Sequence, residues 1–226
     1  VPIYDLTQPL ESGMPVYPGT DPASVEPTAS VAAEGYRTTR LDLDSHTGTH
    51  VDAPAHLSSG PSLSDLPLET FRFRAAVADC RPLEVREVIG VGRLERAVAE
   101  VGGVDVDADS LDLVVVRTGW EAYWGEATYY DHPYLSADAA EWLVERDLHL
   151  GLDALNPDPT PTANAGADEP AGFPAHDRLF AAERVILENL CGLEPVTDHE
   201  RFTLSAFPLA IPAGDGSPVR AVAILE

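Results

Sequence analysis

The sequence predicts a mixed α/β domain, and three observations carry that expectation. Short β-branched runs outnumber clear helical patterns, the helical patterns lie between those runs, and a chain of 226 residues can bury a sizeable core. No internal repeat or low-complexity segment divides it, so a single domain over residues 1–226 is expected.

The elements follow in order. Residues 1–6 read as a short strand, and a stretch punctuated by Pro and Gly runs on to Pro27. Within it, the segment 15–19 (PVYPG) is turn chemistry around one aromatic, Tyr17. Residues 37–50 carry alternation, with Leu41 and Leu43 opposite Asp42 and Asp44, which predicts a half-buried strand. After a loop at 57–68, residues 71–79 read as another strand. Residues 91–101 place Leu94, Val98 and Val101 at helical spacing. The run LDLVVVR at 111–117 has the look of a strand buried on both faces. An aromatic-rich loop follows, with Trp120, Tyr123 and Trp124, which either caps the core or forms an apolar wall for an aryl substrate.

Residues 136–147 give the clearest helix, with Ser136 as N-cap and Asp138 in the first turn. A strand at 150–155 leads into 156–174, which holds five prolines and two glycines without apolar periodicity. A loop of that length inside a compact domain is usually functional, and it is expected to be a lid or pocket wall. Residues 176–183 read as a short helix and 184–190 (RVILENL) as a strand. Glu188 stands inside that apolar run, where an ionised carboxylate needs a cation or a donor to compensate it. A final strand is expected at 219–225, after the turn DGSP.

The chemistry concentrates at residues 45–56, SHTGTHVDAPAH. His46, His50, Asp52 and His56 sit at even offsets. Gly48 and the β-branched Thr47, Thr49 and Val51 disfavour a helix. On a strand, even offsets share a face, so His46, His50 and Asp52 should project together, with Gly48 leaving room between them. Pro54 cannot sit inside a central strand, so a bend there brings His56 round from a loop. Two imidazoles and a carboxylate converging on one point suit zinc, manganese or iron. The opposing reading is a polar strand face with solvated histidines.

HTGTHVDAPAH resembles the HxGTHxDxPxH signature of the cyclase family of metal-dependent hydrolases, which includes bacterial kynurenine formamidases and isatin hydrolases. The resemblance runs from Asp5 to the C-terminus. It implies a swivelling β/β/α-type domain with a central barrel-like β arrangement and outer helices. It also implies a metal-binding His followed twelve residues later by a metal-binding Glu in an ENL setting, which His176 and Glu188 match. The metal set implied is then His46, His50, Asp52, His176 and Glu188, holding one or two Zn2+ or Mn2+ ions. His56 takes the place of a general acid/base rather than a main ligand. An aromatic near the N-terminal PxxPG segment contacts substrate in the family, which places Tyr17 at the pocket, and a similar TGW segment brings in Trp120 and Trp124. Two departures stand out: Thr20 replaces an acidic residue, and Asn156 stands where a Ser is frequent.

The expected reaction is hydrolysis of an amide of a small aromatic substrate by metal-activated water, as in an arylformamidase. Alternatives are an isatin-like lactam hydrolase, a secondary-metabolism cyclase or dehydratase, or a metal carrier without catalysis. Retention of His56 argues against the carrier.

Composition excludes some partners. There are 38 acidic residues and 14 basic ones, all Arg, for a net charge of −24. Such a surface repels nucleic acid and anionic membranes. Cys80 and Cys191 do not make a disulfide framework and are expected as free thiols. The N-terminal segment carries no signal-peptide pattern, so a cytoplasmic protein is expected. A homodimer or homotetramer is implied by the resemblance. His132, His149 and His199 match nothing in the motif and are expected to be structural or at the surface.

Overall fold

The computed structural model describes residues 1–101 and 111–225. Its centre is a strongly curled nine-stranded sheet, a half-barrel. From edge to edge the strands are Ile3–Asp5, Val222–Ile224, Phe202–Ser205, Arg72–Asp79, Leu113–Arg117, His149–Leu152, Ile186–Glu188, His50–Asp52 and Gly216–Pro218. The middle four pair in parallel and both flanks are antiparallel.

The period of two sorts each strand between two cores. Leu113, Val115 and Leu187 join Val51, Phe71, Phe73 and Leu204 on one face. Val114, Val116, Leu150 and Ile186 join Leu94, Leu143 and Phe180 on the other, beneath the helices Val91–Glu100, Ala137–Val144 and Pro174–Ala181. Every residue of Leu113–Arg117 is buried, as its unbroken apolar run predicts. Ser136 caps its helix as expected, its hydroxyl accepting from the Ala139 amide. The arrangement matches the barrel-like α/β expectation. Among the described residues no helix is long and apolar enough to cross a membrane, and both cysteines are free.

One predicted strand is corrected. Thr38–Asp42 does form, but it pairs only with Ser24–Ala29 in a hairpin apart from the main sheet, and all five of its residues are exposed. Its one large apolar side chain, Leu41, gives neither face a stripe to bury. The chain then enters the main sheet later than its alternation implied, at His50.

His149 has a structural role. Its Nδ1 accepts from the Val185 amide at 2.9 Å, tying two parallel strands together. Burial pushes its pKa down to about 4, whereas the unfolded ring titrates near ~6.5. As pH falls from 7 toward 4, the unfolded chain takes up this proton first and stability drops. From pH 7 to pH 5 this one group is expected to cost about 2 kcal/mol. Urea unfolding of His149→Gln, whose amide oxygen can still accept from Val185, should lose correspondingly less over that interval. An unchanged pH response would contradict the assignment.

Candidate active site

The site forms where Ile186–Glu188 runs antiparallel to His50–Asp52. Glu188 lies directly opposite His50, and Ile186 opposite Asp52. Val51 and Leu187 point into the inner core, so His50, Asp52 and Glu188 share the helix-covered face. The helix Pro174–Ala181 adds His176 from above that face. Pro54–His56 forms a single 3-10 turn after the strand, and this bend brings His56 back over the site, as Pro54 predicts.

His46 reaches the site differently from the expectation. Gly48 has φ +65°, and a Cβ there would lie 2.9 Å from the Met14 methyl, so the chain turns rather than extends at this residue. The room for His46 is left instead by Gly216 on the edge strand, where a Cβ would come within 2.5 Å of His46 Cε1.

Hydrogen bonds fix the tautomers of the two inner histidines. The Gly48 carbonyl accepts from His50 Nδ1 at 2.8 Å and from Asn189 Nδ2 at 2.9 Å. A carbonyl can only accept, so the neutral His50 ring carries its lone pair on Nε2. That nitrogen lies 3.1 Å from Asp52 Oδ1 and 3.3 Å from Glu188 Oε2 without an aligned hydrogen bond. His176 repeats the pattern. Its Nδ1 lies 2.7 Å from the fully buried Asp158 carboxylate, while Nε2 faces Glu188 Oε1 at 3.3 Å and Asp52 Oδ2 at 3.7 Å. Lone pairs converging on carboxylate oxygens in a buried setting repel one another unless a cation lies between them.

Two ligand-like sets result, His46, His50, Asp52 and Asp52, His176, Glu188, with Asp52 common to both. Each set has its potential donor atoms within 4.8 Å of one another. The buried, unpartnered His50 Nε2 and Glu188 Oε1 show that this chemistry fits a divalent metal. A third set, His46, His56 and Asp215, adjoins them.

The same carboxylates attract protons. Burial opposes the charged form of His50 and His176, but at His50 the Asp52 and Glu188 carboxylates, and at His176 the Asp158, Asp52 and Glu188 carboxylates, outweigh it and push both pKa values well above the ordinary value. Burial likewise works against ionised Asp52, yet the His50 and His46 rings beside it hold its pKa well below the usual range. Protons and metal therefore compete for these nitrogens. His56 goes the other way: burial and the neighbouring His46 ring push it down, so it is neutral at neutral pH.

These groups line one cavity of about 420 Å³ together with Tyr17, Asp44, Leu57, Asn156 and Phe173. Tyr17 is where the sequence placed it. Trp120 and Trp124 are not among the lining residues, and this corrects the expectation for both. Trp120 is buried with its indole N–H donating to the Thr128 carbonyl, and Trp124 packs edge-on against Tyr129. Trp120 packs in the core cluster under the helices, and Trp124 lies against it. Phe173, which sequence reasoning missed, supplies an apolar wall in their place.

The segment 156–174 is a pocket wall. Arg86, its side chain largely covered, holds it through Glu169 and the Thr160 carbonyl, and Asp131 receives Arg86, Thr162 and Asn164. His132 is buried behind it, with Nε2 on the Thr160 hydroxyl, which is the structural role expected.

A protein-family profile described as "Putative cyclase" matches residues 4–159. The chain belongs to the cyclase family. Among curated relatives, it is similar to a kynurenine formamidase of Bacillus cereus, 32% identical over 96% of this chain and 95% of the relative. A kynurenine formamidase of Bacillus anthracis matches at the same identity and coverage. Among solved structures, isatin hydrolase A of Labrenzia aggregata superposes with a TM-score of 0.83, is 26% identical, and is covered over 94% of its length by all of this chain. A "predicted metal-dependent hydrolase" from Bacillus stearothermophilus gives 0.73 at 26% identity, covering 98% of this chain and 97% of its own. The curated relatives and the solved structures thus match nearly the whole chain.

Proposed function

We propose that this member of the cyclase family, a metal-dependent hydrolase of C–N bonds other than peptide bonds, is an arylformamidase that removes the formyl group of N-formylkynurenine or a close aryl formamide. The observation that carries the reading is the facing of the His50 and His176 lone pairs on the Asp52 and Glu188 carboxylates, with His56 beside them in a cavity of aryl size. The similarity to kynurenine formamidases over nearly the full length of both chains supports the substrate class.

His46, His50, Asp52, His176 and Glu188 would hold two ions of zinc or manganese, Asp52 being the residue common to both sets. Its Oδ1 faces His46 and His50, and its Oδ2 faces His176. A divalent metal bound here lowers the pKa of water toward ~7 and polarises a carbonyl oxygen. The residues of the chain do the rest. Asp158 fixes the His176 ring, and the Gly48 carbonyl fixes His50. Neutral His56 takes the proton of the attacking water and returns it to the leaving nitrogen, so that a neutral arylamine departs with formate as the other product. Tyr17, Phe173 and Leu57 enclose the aryl ring and exclude water.

A second reading, opening of an isatin-like lactam, is favoured by the TM-score of 0.83 to isatin hydrolase A. It uses the same groups on a carbonyl whose nitrogen stays tethered to the ring.

As to surroundings, a cytoplasmic homodimer or homotetramer is the arrangement proposed. An exposed groove lined by Leu10, Leu41, Leu43 and Leu209 is the apolar surface that supports association. The test of function is metal analysis of the purified protein, followed by turnover of N-formylkynurenine and of isatin with zinc or manganese restored. Two ions per chain and turnover of the formamide support the formamidase. Turnover of isatin alone moves the assignment to the lactam, and no bound metal after restoration overturns both.

A further inference from the structure

The sequence read the segment DGSP at 215–218 only as a turn before the last strand. In the structure its first residue, Asp215, reaches into the site. Asp215 Oδ2 lies 3.0 Å from His46 Nε2 and 3.4 Å from His56 Nδ1, and the two rings lie against one another with centroids 3.9 Å apart.

The backbone builds this contact. The Ala53 amide donates to the Asp215 carbonyl at 2.8 Å, and the His56 amide donates to the Ala53 carbonyl at 2.9 Å. The turn holding His56 and the turn holding Asp215 are therefore pinned to one residue. Gly214 accepts from the Leu63 amide at 2.8 Å, fixing the other side of the loop. Gly216 pairs with Asp52 in register and leaves the gap that the His46 ring occupies. One segment thus supplies a carboxylate to two histidines and the space for one of them.

We propose that Asp215 is the positioning residue of His56, its carboxylate accepting from Nδ1–H so that Nε2 is the nitrogen that exchanges a proton with substrate. This rests on the reading of His56 as the acid/base of a hydrolase, and it assigns a role that the HxGTHxDxPxH motif does not contain. A ring free to spin, or carrying its proton on Nε2, cannot accept at the nitrogen that faces the reaction.

Three measurements test it. Long-range 15N–1H spectra of the metal-free protein read the tautomer directly: the His56 ring should carry its proton on Nδ1 in the wild type and lose that preference in Asp215→Ala. In the metal-loaded enzyme, Asp215→Ala should lower kcat about 10- to 100-fold with KM and metal content unchanged. Asp215→Asn, which keeps an acceptor oxygen, should recover most of that loss and also serves should the alanine variant fold poorly. The double variant His56→Ala/Asp215→Ala should be no slower than His56→Ala alone, because Asp215 acts through His56.

Additive losses in the double variant, or a His56 tautomer indifferent to residue 215, would overturn the proposal. Loss of one metal equivalent in Asp215→Ala would overturn it differently, by making Asp215 a ligand. If the wild type turns over neither formamide nor lactam, the functional reading fails, and the spectra still decide whether Asp215 sets the His56 ring.

Discussion

Asp52→Ala is expected to empty the site of metal and to abolish hydrolysis, with activity down by more than the roughly 100-fold upper range for loss of an outer carboxylate. Asp52 alone belongs to both three-residue sets, and it is buried with each oxygen turned to different histidines. Its loss removes the negative charge that balances His46, His50 and His176 together. Glu188→Gln, by contrast, removes a carboxylate from the set that contains His176 while His46, His50 and Asp52 all remain, and should cost one ion of two. Metal analysis of both variants beside the wild type separates the cases. A full metal complement in Asp52→Ala would break the shared-carboxylate assignment.

The second large effect belongs to His56. Replacing it with Ala should lower kcat by about 10²- to 10⁴-fold, the usual worth of a positioned acid/base, while the protein keeps its metal. His56 stands outside both sets that share Asp52 and lines the cavity from the turn after the strand. The pH profile carries the same signature. Burial and the His46 ring lower the His56 pKa, so the neutral base is present at neutral pH and is lost as pH falls through that lowered value. Activity should fall on the acid side in the wild type, and that limb should vanish in His56→Ala at its much lower rate. Metal loss in this variant would instead place His56 among the ligands.

How much of this was legible in the sequence differs by residue. His50, Asp52 and Glu188 were readable because each answers to a local rule: even spacing on a strand, or a carboxylate inside an apolar run that demands a partner. His176 needed the family spacing, since nothing in the helix 174–181 singles it out. Asp158 and Asp215 were unreadable. One is an Asp among prolines and the other an Asp before Gly, ordinary turn chemistry whose partners lie far off in the chain. Their signal is pairing across the fold, which a single sequence does not contain. The aromatic wall failed for a related reason: Trp120 and Phe173 are both large aromatics, and which of them meets the cavity is decided by packing between distant parts of the chain. The hairpin at Ser24–Asp42 misled in the opposite way, since alternation predicts a strand but not what the strand lies against.

The contact of His50 with Glu188 has a bearing on how the molecule matures. The first three residues of the proposed metal set, His46, His50 and Asp52, are made early in synthesis and lie within one short peptide, so an unfolded chain would already offer an ion three donors. His176 and Glu188 arrive much later, and Ile186–Glu188 must slot between His149–Leu152, nearby in sequence, and His50–Asp52, far earlier in the chain. Assembly of such distant pairings is slow. Any ion held by that peptide in the unfolded chain would reduce the stabilisation that ligand linkage otherwise delivers. The tightness of the proposed centre would thus come from sheet closure, and a chain stalled before that closure would hold an ion only as a short peptide does.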